Sequence, residues 1–288
     1  MPCIFWILRD FGREVAHDLN GRGGEHVHSQ SLFFTLFGDY IIDHGGKVRA
    51  SSLVKMMSEF GFSESAVRAG LFRLAQNGLV EVEKVGNQGH YTLSRLGLNH
   101  LRDGAQRVYR SGRHQWDGLW RVFVYNIAET RRDRRDELRR ELQWHGLAPW
   151  AQSTWISPNP VEPVLQELIS EYLSEDTADV VVGSLKGDSF ALVQRCWDIN
   201  AIHRRYEEFI QEWKPYVGNF HHTADNTAFV RRIHLVHAYR KFLNIDPNLP
   251  DDLLPERWIG YEAQRLFQQL HQQWTSKADR FFESVFEA

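Results

Sequence analysis

Cysteine is scarce in this chain. Its two cysteines among 288 residues, Cys3 and Cys196, lie far apart and form no CxxC pair. That pattern excludes a disulfide-stapled scaffold and fits a reducing compartment, so a cytoplasmic protein is expected. Long apolar runs are missing as well: none approaches the ~20 residues that a membrane-spanning helix needs. The apolar start Cys3–Leu8 has no basic region before it and no small-residue cleavage site after it, so export is not expected. The chain has no nucleophile elbow, P-loop, dinucleotide fingerprint or HExxH pattern. No catalytic residue, cofactor or metal is therefore assigned, and the chain is not read as an enzyme. Internal repeats and low-complexity tracts are also absent.

What is present is an ordinary globular composition, 42% hydrophobic and 25% charged, in a chain long enough for two or three domains. Its 10 Trp and 18 Phe suit cores, dimer interfaces and ligand pockets alike, so they do not choose between these. The formal net charge of −3 argues against non-specific coating of nucleic acid, but it conceals a gradient. Residues 29–110 carry 10 Lys and Arg against 7 Asp and Glu, whereas residues 113–288 carry 21 against 26.

The basic stretch is also the most patterned. An amphipathic helix runs from Ser31 to Ile42 and stops at Gly45-Gly46; a second, Ser51–Phe60, stops at Gly61. A third, Ser63–Asn77, follows almost at once and stops at Gly78. Leu79–Val85 and His90–Leu93 then flank Gly86-Asn-Gln-Gly89, a β-hairpin signal. This is the order of a winged helix-turn-helix, whose second helix of the pair enters a DNA major groove. On Ser63–Asn77 the period places Val67, Leu71 and Leu74 inward. Ser65, Arg68, Ala69, Phe72, Arg73 and Gln76 are left outward. Arginine can grip guanine O6 and N7, and glutamine adenine N6 and N7. Ser63, Ser65, Arg68, Arg73 and Gln76, with Lys84 and Gln88 on the wing, are the candidate DNA contacts. The alternative is a solvated face on a scaffolding helix, with Phe72 closing the core. Asn87 and His90 also lie at the wing, where turn geometry alone can account for them.

The remainder changes character. Leu119–Ile127, Trp150–Ser157 and Asp179–Leu185 read as strands, and helices over residues 130–146 and Pro163–Leu173 lie between them, a pattern of the ferredoxin-like kind. From Trp197 the pattern is helical, over Asp198–Trp213, Thr223–Leu243 and Tyr261–Phe286. The expectation is a multidomain α+β chain. It comprises an extension over residues 1–30, a winged helix-turn-helix over 31–110, a ferredoxin-like domain over 115–195 and a helical domain over 197–288.

Several stretches together resemble the PaaX-type family of phenylacetic-acid catabolon repressors, winged-helix regulators of the GntR/MarR-like kind. They are Thr35–Tyr40, Ala66–Leu74 with Gly78, Gly89–Leu93, Trp116–Trp120, Arg131–Leu142, Trp155–Pro158 and Arg232–Phe242. Asp246–Pro250, Leu254-Pro255 and Trp258 complete the set. The resemblance runs from about Ser31 to Trp274. It implies a homodimeric transcriptional repressor on a double-stranded DNA operator with an inverted repeat, released by an acyl-CoA effector such as phenylacetyl-CoA. It also implies a middle domain similar to a small CRISPR-adaptation nuclease. The carboxylate that ends that nuclease's first strand is replaced here by Asn126, a poor ligand for a hard divalent cation.

Arg204, Arg231 and Arg232 are candidates for the effector's phosphates, and Trp155 and Trp258 for its acyl end, with Arg205 and Trp197 as further possibilities. Against Arg204 stands Glu208 four residues on, which would form a plain surface pair. His234 and His237 lie one turn apart after His221-His222, but no carboxylate completes a ligand set. Two other readings stay open: a metal-dependent nuclease built on the middle domain, and a regulator controlled by a protein partner.

Overall fold

The computed structural model describes residues 29–86, 88–95, 97–98, 101, 115–174 and 176–287. The expectations for the 1–28 extension, for Asn87, for most of the helix after the hairpin and for the linker to His114 lie outside them. The chain is a mixture of helices and two small antiparallel sheets, and it divides into two compact units.

The first unit takes residues up to 110 together with 209–241 and 263–288. Helix α1 (Ser29–Leu36) continues as a single π-helical turn, Phe37–Ile41, then a 3-10 turn, Ile42–His44. Leu32, Phe33, Leu36, Phe37, Tyr40 and Ile41 are all buried, because this apolar run is enclosed on several sides. Gly45 and Gly46 end it at φ +89° and +74°, left-handed values that glycine adopts without strain. A three-residue strand β1 (Lys47–Arg49) precedes α2 (Ala50–Ser58) and α3 (Glu64–Gln76). Strands β2 (Val80–Val85) and β3 (Gln88–Leu93) form the hairpin, and β1 joins them in the order β1-β3-β2. β1 was not expected; at three residues it is too short for an alternation to register. Later in the chain, α8 (Asp225–Tyr239) buries Phe229, Ile233 and Val236. The expected continuation to Leu243 tightens instead into a 3-10 turn over Arg240–Asn244, leaving Leu243 only partly buried. The long α9 (Gly260–Val285) lays Phe267, Leu270, Trp274, Ala278 and Phe282 along one stripe.

The second unit takes residues 111–208 and 242–262. Its elements are β4 (Trp120–Asn126), α4 (Arg132–Trp144), β5 (Ala148–Ala151), β6 (Thr154–Ser157), α5 (Glu162–Tyr172) and β7 (Thr177–Gly183). The single strand expected over Trp150–Ser157 is in fact a hairpin, broken where Ser153 adopts φ 56°. The sheet order is β5-β6-β4-β7, with every pair antiparallel. One face carries Phe123, Tyr125 and Trp155 against Leu138, Leu142, Leu165 and Leu168 of the two helices. A short helix α6 (Ser189–Cys196), unforeseen, is capped by Asp188, whose carboxylate accepts from the N–H groups of Phe190 and Ala191. Helix α7 (Ile199–Trp213) follows.

Candidate DNA interface

The inward stripe of α3 is buried as the period requires: Val67, Leu71 and Leu74, with Gly70 beside them. Ser65, Arg68, Ala69, Phe72, Arg73 and Gln76 are all exposed. Phe72 is 61% exposed and does not close the core. Ser63 caps the helix, its hydroxyl accepting from the Ala66 N–H at 3.3 Å and lying 3.0 Å from the Ser65 hydroxyl. Arg68 donates through Nε to Glu64 at 2.8 Å, one turn earlier on the same face. Both side chains are well exposed, so the pair adds little stability. It does mean that a base contact by Arg68 requires the guanidinium to leave a carboxylate.

At the hairpin, Lys84 and Gln88 are exposed, as a backbone or groove contact needs. His90 is buried and so is not offered to DNA. Lys47 donates to Glu83 at 2.6 Å across the sheet, and that bond holds the Glu83 carboxyl below its usual range.

Sequence reasoning missed the group that ties the start of the chain to the late helices. Asp39, on the π turn, accepts from Arg232 Nε at 2.9 Å and pairs with His271 Nε2 at 2.9 Å. Arg232 Nη1 also donates to Asp279 at 3.0 Å, and its guanidinium lies 4.7 Å from the centre of the Tyr40 ring. Burial alone would lower the Arg232 pKa, but Asp39, Tyr40 and Asp279 together raise it. Burial also pushes the Tyr40 phenol up. Asp39 and Arg232 are 193 residues apart in sequence, so no local spacing could pair them. The available signal was Asp39, a lone carboxylate in the apolar run Leu32–Ile41, and Arg232, set beside the buried stripe of α8.

The effector candidates are scattered. Arg232 is committed to two carboxylates. Arg231, in the same unit, donates to the Thr223 hydroxyl at 3.3 Å and lies over the Tyr216 ring. In the second unit Arg204 is exposed, and it is Arg205 that pairs with Glu208, at i+3 and 3.3 Å. Trp155 is buried inside the sheet core, and Trp258 is buried with its ring edge-on to Tyr206. A separate cavity of about 410 Å³ in this unit is lined by Pro149, Trp197, Ile202, Arg205, Ile245 and Pro247, among others. Asp198 and Asp246 line it too, so a single arginine shares the space with two carboxylates.

His237 is buried beside Ser31, its Nδ1 3.5 Å from the hydroxyl; burial pushes its pKa well down and that of His234 down to about 4. Among the described residues, no three His, Cys, Asp or Glu side chains group as a metal site. Nor, among the described residues, is any helix long and apolar enough to cross a membrane.

Family models match the chain in three consecutive segments: "PaaX-like protein" over residues 28–97, "PaaX protein central Cas2-like domain" over 113–191 and "PaaX-like protein C-terminal domain" over 197–284. The "Transcriptional repressor PaaX" of Escherichia coli (strain K12) is 30% identical over 255 residues, which cover 85% of this chain and 80% of that protein. The chain belongs to the PaaX family. A solved structure, "Uncharacterized protein Rv0674 from Mycobacterium tuberculosis", superposes with a TM-score of 0.60 at 19% identity. It covers 90% of this chain and 99% of its own, and at that identity it speaks for a shared fold alone. For a PaaX-family chain, the segment with the basic excess, α3 and the hairpin is the part matched by the first of the three models.

Proposed function

We propose that this chain is a homodimeric transcriptional repressor that reads operator DNA through α3. The observation that carries this reading is the exposed stripe of Ser65, Arg68, Arg73 and Gln76 on a helix that follows α2 through a short turn containing Gly61. The order α1-β1-α2-α3-β2-β3 supports a winged helix-turn-helix, with Lys84 and Gln88 on the wing. The relative named as a transcriptional repressor supports the same role.

In the second unit, a strand-helix-hairpin-helix-strand succession with β4 between β6 and β7 supports a ferredoxin-like middle domain. Asn126 ends β4 as an exposed amide, which favours a platform for dimerisation and relay over a metal-dependent nuclease.

The regulated genes, on the family resemblance, are those of phenylacetate-type catabolism, and the releasing effector is an aryl-CoA thioester. Exposed Arg204 and the cavity carrying Trp197 and Arg205 are the features of the second unit that favour such a ligand. The buried positions of Arg232, Trp155 and Trp258 argue against direct contact by those three.

The test is selection of bound sequences from a randomised duplex library, followed by affinity measurement on the enriched DNA. An imperfect inverted repeat with half-sites about 10 base pairs or a multiple apart is expected. Affinity should fall steeply with salt. Arg73→Ala should cost about 1–3 kcal/mol and relax one position of the half-site. Unchanged affinity and consensus in both Arg68→Ala and Arg73→Ala would remove α3 from the role. Titrating the complex with phenylacetyl-CoA against free phenylacetate tests the effector. A hundredfold release corresponds to about 2.7 kcal/mol of coupling.

A further inference from the structure

Phe72 is out of place on grounds of burial alone. It follows Leu71, which is fully buried, and the ~100° step of an α-helix carries its ring out to the face that holds Ser65, Arg68, Ala69, Arg73 and Gln76. A phenyl ring there gains little from the core and leaves most of its apolar surface in water. Its nearest neighbours on the helix surface are Arg68 and Ala69 before it and the half-buried Ala75 and exposed Gln76 after it. The face therefore presents a small apolar centre, Ala69 and Phe72, between two arginines and a glutamine. That combination matches one surface closely. Phosphates and guanine edges take the arginines and adenine takes the glutamine. In the major groove, the C5-methyl of thymine is the apolar group that a base presents to a phenyl ring or an alanine methyl. Arg73 and the Arg68–Glu64 pair flank this centre; an apolar protein surface would have to desolvate all three charges, whereas a nucleic acid can take both guanidiniums.

We infer that Phe72, with Ala69 beside it, is a specificity-determining residue that reads thymine through its methyl group. The inference rests on α3 being the reading helix and adds to it an apolar element that hydrogen-bonding side chains alone do not supply.

The experiment uses the full chain and the enriched operator obtained as above. Each thymine of the half-site is replaced in turn by deoxyuridine, which removes the C5-methyl and leaves every hydrogen-bonding group in place. For the unaltered protein, one or two positions per half-site should bind about fourfold more weakly, the ~0.8 kcal/mol of one methyl-sized group. At the position that Phe72 reads, Phe72→Ala should bring the thymine and uridine operators to within about twofold of each other, while Phe72→Leu, which keeps an apolar tip, should retain part of the discrimination. The exposure of Phe72 makes both variants compatible with folding, and the uridine scan on the unaltered protein needs no variant at all.

A scan flat within twofold at every thymine overturns the inference, as does full uridine sensitivity in Phe72→Ala. So does a Phe72→Ala protein that keeps its discrimination but dissociates into monomers, because the ring would then belong to a subunit contact. If the scan is flat while Arg73→Ala loses affinity and relaxes the consensus, Phe72 alone is misassigned. If the arginine variants also bind as before, or no sequence is enriched, the reading of α3 falls with it.

Discussion

If α3 reads DNA as proposed, the Glu64–Arg68 pair bears more on binding than on folding. An exposed i,i+4 pair is worth about 0.3–0.5 kcal/mol, so Glu64→Gln should leave the melting temperature nearly unchanged. The same substitution frees Arg68 and removes a negative charge from the face proposed to meet DNA. Operator affinity should therefore rise in Glu64→Gln, measured by anisotropy at fixed salt, and a drop would assign Glu64 a contact of its own. Asp39 is the opposite case. Its carboxylate and the Arg232 guanidinium are both nearly excluded from solvent, and removing one member of a buried pair strands the other. Asp39→Asn should destabilise the chain by about 3 kcal/mol in chemical denaturation. A loss below about 1 kcal/mol would mean that Asp279 and solvent suffice for Arg232. Spacing alone is an uneven guide to such pairs: Glu64 and Arg68 meet at i,i+4, whereas Glu208, expected to pair with Arg204 at that spacing, pairs with Arg205. The Asp39–Arg232 pair was not readable from spacing, since two helices must fold against each other before those residues meet.

Elements were legible in proportion to how far local period alone sets them. Helices α3, α8 and α9 announced themselves by their apolar stripes, and the β2–β3 hairpin by its glycine-flanked turn. β1 was invisible, because its three residues owe their extended state to pairing with β3. The β5–β6 hairpin was read as one strand because the break at Ser153 carries no glycine or proline signal. Gly146, where α4 ends, shows how tightly such a junction is set. It sits at φ +82°, and a β-carbon added there would lie 2.6 Å from the Pro247 carbonyl oxygen. Gly146→Ala should therefore destabilise the second unit by more than the ~1 kcal/mol of an ordinary glycine replacement, as a lower melting temperature. An unchanged value would show that the Pro247 segment yields freely.

For the molecule as a whole, the sequence conveyed the α+β character and the family. It could not convey that the first unit is assembled from three separate stretches of chain. That unit also holds two histidines whose neutral form is the folded form. Burial lowers His234 to about 4 and pushes His237 well down too, so protons bind the unfolded chain first. Stability is fully present above the ordinary histidine value of about 6.5 and declines as pH falls from there toward 4. His44 acts in the other direction: burial would lower it, but its bonds to the Tyr40 carbonyl and Glu283 raise it, at an exposed position. The buried pair should dominate. Melting temperatures at pH 7.5 and 5.0 should differ markedly for the unaltered chain and less for a His234→Gln, His237→Asn double variant. Equal acid sensitivity in both would assign the effect to carboxylates instead.

The first unit is closed by residues far along the chain: Tyr40 stacks on Phe282, and the Arg49 N–H donates to the Glu287 carbonyl. During synthesis, then, the segment carrying α3 leaves the ribosome about 200 residues before Phe282 and Glu287, and its core cannot close until they follow. An N-terminal domain commonly folds while the rest of the chain is still being made. Here the part proposed to grip DNA stays unfinished until α9 has been made, so a product terminated before Phe282 should lack a competent reader with which to occupy an operator.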